Sequence, residues 1–354
     1  MTDKIKVGIW GLGRAGLNMH AAEIANYPEQ FELHSGIDID PARNQSLTDT
    51  YRVPTYTDEE AFLNDPEVEL ISIATRSPDH VAHCERALAA GKYVFLEKPL
   101  GLNYAEGKKL LALSQQYPGK LYPRQNRRFE APFNHIQEII ASGILGEVYE
   151  IKLCRHSFQR RSDWQTIIEC GGGQLNNWGP HIIDHALQFL DYKVSELWSD
   201  LKKVAALGNA EDHIKIVLKG ESGRVVDLEI SGGAALPQNE YTLFGSRGAL
   251  TCQGDNIHLK YIDPKQVFQK TEAHAGTPSL AGGVSNAYAD LEQIKWVEED
   301  IKVAPSTPTE IHSIWSALYQ SVREGIPFPI PMEQAVAVLK VTDEVKKGTA
   351  FTDV

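Results

Sequence analysis

Lys6-Val7-Gly8-Ile9-Trp10-Gly11-Leu12-Gly13-Arg14-Ala15-Gly16 is the stretch that decides how the rest of the chain is read. Residues 6–10 form a short apolar run ending in glycine, the pattern of a buried strand. The next glycines fall in G-x-G-x-x-G order, and residues 15–25 read as a helix that stops before Tyr27-Pro28. Each glycine has a physical reason. Gly11 permits a tight turn, Gly13 lets the backbone approach a pyrophosphate, and Gly16 lets the helix close on the strand. The helix start at Arg14 and Ala15 offers unpaired N–H groups to phosphates. A strand before the motif and a helix after it make this a dinucleotide-binding turn. Asp38 ends the second strand, at residues 31–37. A carboxylate there accepts hydrogen bonds from ribose hydroxyls and repels a 2′-phosphate, so NAD is expected and NADP less so. Arg43, which could reach a 2′-phosphate, is the counter-signal.

Working outward, strands at 69–74 and 93–96 alternate with helices at 80–90 and beyond Asn103. Asn103 reads as an N-cap with Glu106 completing a capping box. These units predict an α/β fold, an N-terminal Rossmann doubly wound parallel sheet over residues 1–124. After Tyr122 the rhythm changes. A helix at 132–142 precedes strand-like runs at 148–154, 214–218, 225–230, 241–244, 249–252 and 257–261. They predict an α+β second domain over 125–354 with a mainly antiparallel open sheet. Residues 263–286 read as a long loop or an oligomer contact. Two helices close the chain. Thr307, Pro308 and Glu310 mark the start of the first, and Ile311, Ile314, Trp315, Leu318 and Val322 follow its apolar spacing. The second, at 331–347, is expected to pack back on the first domain.

Of the 354 residues, 42% are hydrophobic and 23% charged, enough to form real cores. The net charge of −12 argues against nucleic acid or an anionic membrane as the main partner. No leader or membrane span is read in the sequence. Cys84, Cys154, Cys170 and Cys252 are scattered, without metal spacing, so reduced thiols in a cytoplasmic protein are expected.

Further motifs follow: Ala74-Thr75 with His80, Glu97-Lys98-Pro99 after the 93–96 strand, and Asn126-Arg127-Arg128-Phe129. Gly171-Gly172-Gly173 then leads to Gly179-Pro180-His181-Ile182-Ile183-Asp184, and Gly245-Ser246-Arg247-Gly248 comes later. In this order the chain resembles the glucose–fructose oxidoreductase and inositol dehydrogenase family over nearly its whole length. The resemblance implies an NAD(P)-dependent oxidoreductase acting on a secondary hydroxyl of a sugar, sugar derivative or cyclitol. It implies catalytic roles for Lys98 and His181, and places Thr75, His80 and Glu97 near the cofactor. It points to Asn126 and Arg128 as substrate contacts. Where many relatives carry an aspartate four residues before the histidine, this chain has Asn177.

Oxidising a secondary alcohol sends a hydride to nicotinamide and a proton to a base within hydrogen-bond reach. Histidine titrates nearest neutrality. His181 is therefore assigned as general base and Lys98 as orienter and electrostatic partner, with the reverse assignment as alternative. Asn177 adds no charge, so His181 should titrate lower than beside an aspartate. Asp184, three residues on, is expected to bind substrate or stand in as the carboxylate. Trp178 is expected to stack on a pyranose; for Trp164, substrate contact and core packing weigh equally. His181, Asp184 and His185 lack the further ligand a metal would need, so none is expected. Three readings remain: a dehydrogenase releasing NADH, an enzyme retaining NAD for epimerisation or glycoside cleavage, and a non-catalytic NAD sensor. A homodimer or homotetramer is expected, since an open sheet face suits such a contact.

Overall fold

The computed structural model describes residues 4–268, 293–304 and 313–352. Its first sheet has six strands: β1 (Ile5–Trp10), β2 (Phe31–Ile37), β3 (Thr55–Tyr56), β4 (Leu70–Ile73), β5 (Tyr93–Leu96) and β6 (Leu121–Pro123). They run parallel in the order β3-β2-β1-β4-β5-β6. Helices cover both faces, so the central strands are almost wholly apolar: Ile5, Val7, Ile9, Leu70, Ile71, Ile73, Val94, Phe95 and Leu96 have no exposed surface. The order reverses between β1 and β4, and the crevice at their carboxyl ends is where ligands bind in such sheets.

Two glycines make the first turn possible. Gly11 has a φ of +95°, a region that side chains rarely adopt. A Cβ on Gly16 would lie 1.9 Å from the Gly11 carbonyl oxygen, so only glycine lets the helix close on the strand.

The second sheet has eight strands: β7 (Val148–His156), β8 (Val194–Lys202), β9 (His213–Gly220), β10 (Val225–Ser231), β11 (Tyr241–Gly245), β12 (Gly248–Gln253), β13 (Asn256–Ile262) and β14 (Trp296–Lys302). Their order is β14-β13-β12-β11-β7-β10-β9-β8. All pairs are antiparallel except β7 with β10. Alternation sorts the faces. Ile214, Ile216, Leu218, Val226, Leu228, Ile151 and Leu153 pack against the helices Ala131–Ser142 and Gly179–Phe189. The other face carries ion pairs such as Lys215–Asp227 (2.6 Å) and Lys219–Glu196 (2.7 Å), together with exposed Tyr149, Trp198 and Trp296.

The chain's last helices fasten the two halves. Trp315, on the helix Ser313–Tyr319, is fully buried in the first domain against Phe31 and Phe95, with ring centroids 5.3 and 4.9 Å away. On Met332–Lys346, Met332, Ala335, Val336 and Leu339 join the first domain's core, while Val338, Val341 and Val345 join the second's.

Several elements differ from expectation. Strands β3, β6, β8 and β14 are additions. Edge strands β8 and β14 interleave charges with apolar residues, because one face of each meets solvent. The first helix is a π-turn over Gly16–Ala21 that runs into Ala22–Ile24. Asn103 caps its helix through Glu106 N (2.9 Å), but the Glu106 carboxylate accepts from Leu102 N rather than Asn103 N. Residues 269–286 of the polar stretch, and Thr307, Pro308, Glu310 and Ile311, lie outside the described residues. Among the described residues no helix is long and apolar enough to cross a membrane. The four cysteines carry no disulfide.

Candidate active site

The cofactor end is built from backbone. Leu12 N donates to Asp38 Oδ2 (2.7 Å) and Asp40 N to Oδ1 (2.9 Å), which fixes the carboxylate at the mouth of the glycine turn. Arg43 Nη1 stands 3.4 Å from Asp38 Oδ2. An added Cβ on Gly13 would meet only that guanidinium, at 3.8 Å, so the turn has an open side against which a pyrophosphate can lie. Exposed Arg14 and half-buried Ala15 begin the helix there. These residues fit a dinucleotide: N–H groups and open backbone for phosphates, and a fixed carboxylate for ribose hydroxyls.

At the other end, β5 delivers Glu97-Lys98-Pro99. Glu97, expected near the cofactor, turns its side chain inward. Its carboxylate accepts from Arg124 Nη1 (2.6 Å) and from Lys98 N, and lies 3.4 Å from His20 Nε2. Arg124 also grips Glu23 through two contacts of 2.7 Å, and Trp315 Nε1 donates to Glu23 (2.6 Å). Burial alone would raise the Glu97 pKa, but Arg124, His20 and Lys98 together hold it at about 2. Glu97 is thus an anchor for the strand end.

His80 is buried, with Nδ1 2.8 Å from the Pro99 carbonyl oxygen and Nε2 3.2 Å from that of Thr75. Both ring nitrogens face the backbone, so His80 positions the two loops. Thr75 remains half-buried at the end of β4, its hydroxyl 3.0 Å from His83 Nδ1.

Lys98 leaves the anchored strand end for the second domain. Its Nζ donates to the Asn177 carbonyl oxygen (3.2 Å). Burial lowers the Lys98 pKa, and Arg124, Arg127 and Arg14 push the same way against Glu97. Asn177 ends the short helix Gln174–Asn177, and His181 lies on the next, Gly179–Phe189. Glu211 holds the first turn of that short helix by accepting from Leu175 N (2.9 Å); burial raises its carboxyl to about 7. His181 is buried, and its Nδ1 has no hydrogen-bond partner. Burial, then Lys98 and Arg127, push its pKa well below 6.5. Burial and the neighbouring cations thus favour the neutral imidazole, whose Nδ1 is left without a protein partner.

The remaining expected contacts divide. Asn126 is buried and its Oδ1 lacks a protein donor. Arg128 and Asp184 instead bind each other (2.7 and 2.6 Å), with Gln334 and Tyr192 also on the guanidinium. That latch ties the helix Gly179–Phe189 to the C-terminal one. His185 is held by Tyr241 Oη (3.1 Å) and the Arg127 carbonyl (3.0 Å). The Trp178 ring carries the Arg127 and Arg155 guanidinium groups, 4.4 and 5.5 Å from its centroid. Its plane meets His181 edge-on at 5.9 Å. Trp164 stays partly exposed under Arg76 of the first domain (5.5 Å) rather than in a core. Among the described residues, no hydrogen bond joins the Asn177 amide to His181, and no group of three His, Cys, Asp or Glu could hold a metal.

Residues 5–123 match the model of an oxidoreductase family with an NAD-binding Rossmann fold, and residues 133–251 match the GFO/IDH/MocA C-terminal domain. The chain belongs to the GFO/IDH/MocA oxidoreductase family. An uncharacterised oxidoreductase of Escherichia coli (strain K12), YdgJ, is 26% identical, covering 97% of this chain and 96% of its own. The scyllo-inositol 2-dehydrogenase (NADP(+)) IolW of Bacillus subtilis (strain 168) is 24% identical, covering 98% and 94%. The solved structure of the oxidoreductase yvaA from Bacillus subtilis superposes with a TM-score of 0.82 at 18% identity, covering 99% and 97%; at that identity it speaks to the fold alone.

Arg124, Glu23, His20, Arg127, Arg155 and Glu211 were missed as site residues. Glu23 and Arg124 are 101 residues apart, and no spacing rule connects them. An available signal was the cluster Arg124-Gln125-Asn126-Arg127-Arg128, too cationic for the end of a buried strand without partners.

Proposed function

We propose that this GFO/IDH/MocA protein is an NAD-preferring dehydrogenase that oxidises a secondary hydroxyl of a sugar, glycoside or cyclitol. The observation that carries the reading is the Lys98 ammonium, held by the Asn177 carbonyl, close enough to buried His181 to lower its pKa, with His181 Nδ1 left without a hydrogen-bond partner. A bound nicotinamide supplies the hydride acceptor. His181 takes the hydroxyl proton, and the Lys98 ammonium stabilises the oxygen as charge develops on it. Glu97 and His80 hold the Lys98 turn in place. Asp38 favours NAD, while Arg43 beside it supports a second reading in which NADP is also accepted; IolW, a relative by sequence, is named for NADP(+). We place the enzyme in the cytoplasm, as a dimer or tetramer joined through the open sheet face, since its exposed tryptophans suit such a contact.

The test is a titration of desalted protein with NAD and NADP, then a screen of hexoses, glycosides and cyclitols for reduced nicotinamide. NADH formation with tighter NAD binding is expected. Tighter NADP binding overturns the reading of Asp38. A nicotinamide that survives desalting, with no NADH released, favours retained-cofactor chemistry over dehydrogenation.

A further inference from the structure

We propose that the substrate site has a second compartment, at the end of the second sheet, which takes the neutral polyhydroxylated extension of a glycoside. The inference rests on the proposed reading of Lys98 and His181.

A cavity of about 450 Å³ opens where β7 and β10 end and β11 and β13 begin. Its volume falls within the range of small-ligand sites, about 300–1,000 Å³. Neither Lys98 nor His181 lines it, so it is not where proton and hydride move. Trp178 and Gln174 form its inner wall, and the Trp178 edge lies against His181. A smaller recess shares Gln159, Arg161 and Gln174 with it and reaches Asn177, whose carbonyl holds Lys98. That recess holds only about 10 Å³, too little for a sugar, so the link between the cavity and His181 is the wall itself: Trp178 lines the cavity and its ring packs against His181. A ring oxidised at His181 that carries a further sugar would send it past Trp178 into the cavity.

Charge selects the class of extension. A phosphate or carboxylate group calls for surplus cations. Here each guanidinium already has a carboxylate: Arg127 has Glu130, Arg155 has Glu240 (2.5 Å) and Arg161 has Asp163 (2.9 Å). Asp255 adds a further negative charge to the wall. What remains is amide and hydroxyl. Gln159, Gln174, Gln238 and Gln253 each offer donors and an acceptor, the combination that matches a sugar hydroxyl, which is both at once. Three atoms of the wall have no hydrogen-bond partner: the acceptor Gln174 Oε1, the donor Arg155 Nε and His156 Nε2, the last 3.1 Å from the Glu229 carboxylate.

The experiment compares kcat/KM for hexoses, their methyl glycosides and neutral disaccharides of glucose and galactose, in wild type and in the double variant Gln238→Ala/Gln253→Ala. Both residues are exposed at the far end, so the fold should survive. The wild type should prefer a disaccharide to its parent hexose. The variant should lose about tenfold on the disaccharide, the loss of one or two hydrogen bonds, and keep its rate on the hexose. A disaccharide no better than the hexose, an unchanged variant, or a preference for hexose 6-phosphates or uronic acids overturns the compartment. Calorimetry of the same sugars with NAD-loaded protein separates the two levels. Disaccharide binding without turnover would sink the dehydrogenase reading and leave the compartment standing; no disaccharide binding would remove it.

Discussion

Replacing Lys98 with methionine should change rate, pH dependence and stability in three different directions. The methionine keeps most of the length and the apolar stem but removes the ammonium. If that ammonium stabilises the developing alkoxide, turnover should fall by about 10²–10⁴-fold, or about 3–5 kcal/mol of barrier. After burial, Lys98 is the largest cause depressing the His181 pKa. Its removal should therefore strengthen the base, and the acidic limb of kcat/KM should move to higher pH while the rate falls. Stability carries the opposite sign. The folded pKa of Lys98 is below its ordinary 10.5, so at neutral pH burial of the ammonium works against folding. Its one hydrogen bond, to the Asn177 carbonyl, offsets part of that. The variant should be as stable as wild type or more so in urea unfolding. NAD affinity, held at the Gly13 and Asp38 end, should change little. Near-normal turnover would remove Lys98 from the site. Lost turnover with an unmoved limb would separate it from His181, and lost NAD binding would make it a cofactor ligand.

Two further outcomes are expected. Asn177→Asp should raise the acidic limb of kcat/KM only slightly, by less than about 1 unit, since no hydrogen bond joins this side chain to His181; a larger shift would show the two in contact during turnover. Arg124→Met leaves Glu23 and Glu97 buried without their guanidinium and should destabilise the fold by about 3–5 kcal/mol. Glu97 is depressed in the folded state, so wild type should lose its contribution, about 3 kcal/mol, as pH falls from 4.5 to about 2. Urea unfolding across that window should show the loss in wild type and not in the variant; a destabilisation below about 1 kcal/mol would refute the network.

The fold was legible because its strongest signals are local. The Gly11–Gly16 turn, the apolar runs of β1, β4 and β5, and the cap at Asn103 each specify their element within a few residues. Of the four unexpected strands, β3 and β6 are edge strands of two and three residues, too short to show a pattern, and β8 and β14 sit at the edges of the second sheet, where polar residues face solvent and alternation is diluted. At the candidate site, Lys98 and His181 stand in short motifs that single them out, and the structure brings the two near each other. Their surroundings were not legible in the sequence. Asp184 has helical spacing to His181, yet its carboxylate points to Arg128, 56 residues away in sequence. Helical spacing tells which residues share a helix face, and not which partner from another element reaches that face first.

Under the proposed reaction, the charges that would stabilise the substrate oxygen also limit the base. Lys98, Arg127 and Arg124 act on His181, and no carboxylate is among the strongest influences on it. An alkoxide forming at the substrate oxygen would be stabilised by that field, while an imidazolium forming at His181 would be penalised by it. The proton taken up would then have to move on quickly, and oxidation would be favoured as pH rises. An aspartate beside the histidine would relax this tension by stabilising the imidazolium. Asn177 does not, and instead contributes its backbone oxygen to Lys98. The cation field thus weakens the base and strengthens the electrophilic side of the site together. That is why removing Lys98 should slow the reaction even as it makes His181 a stronger base.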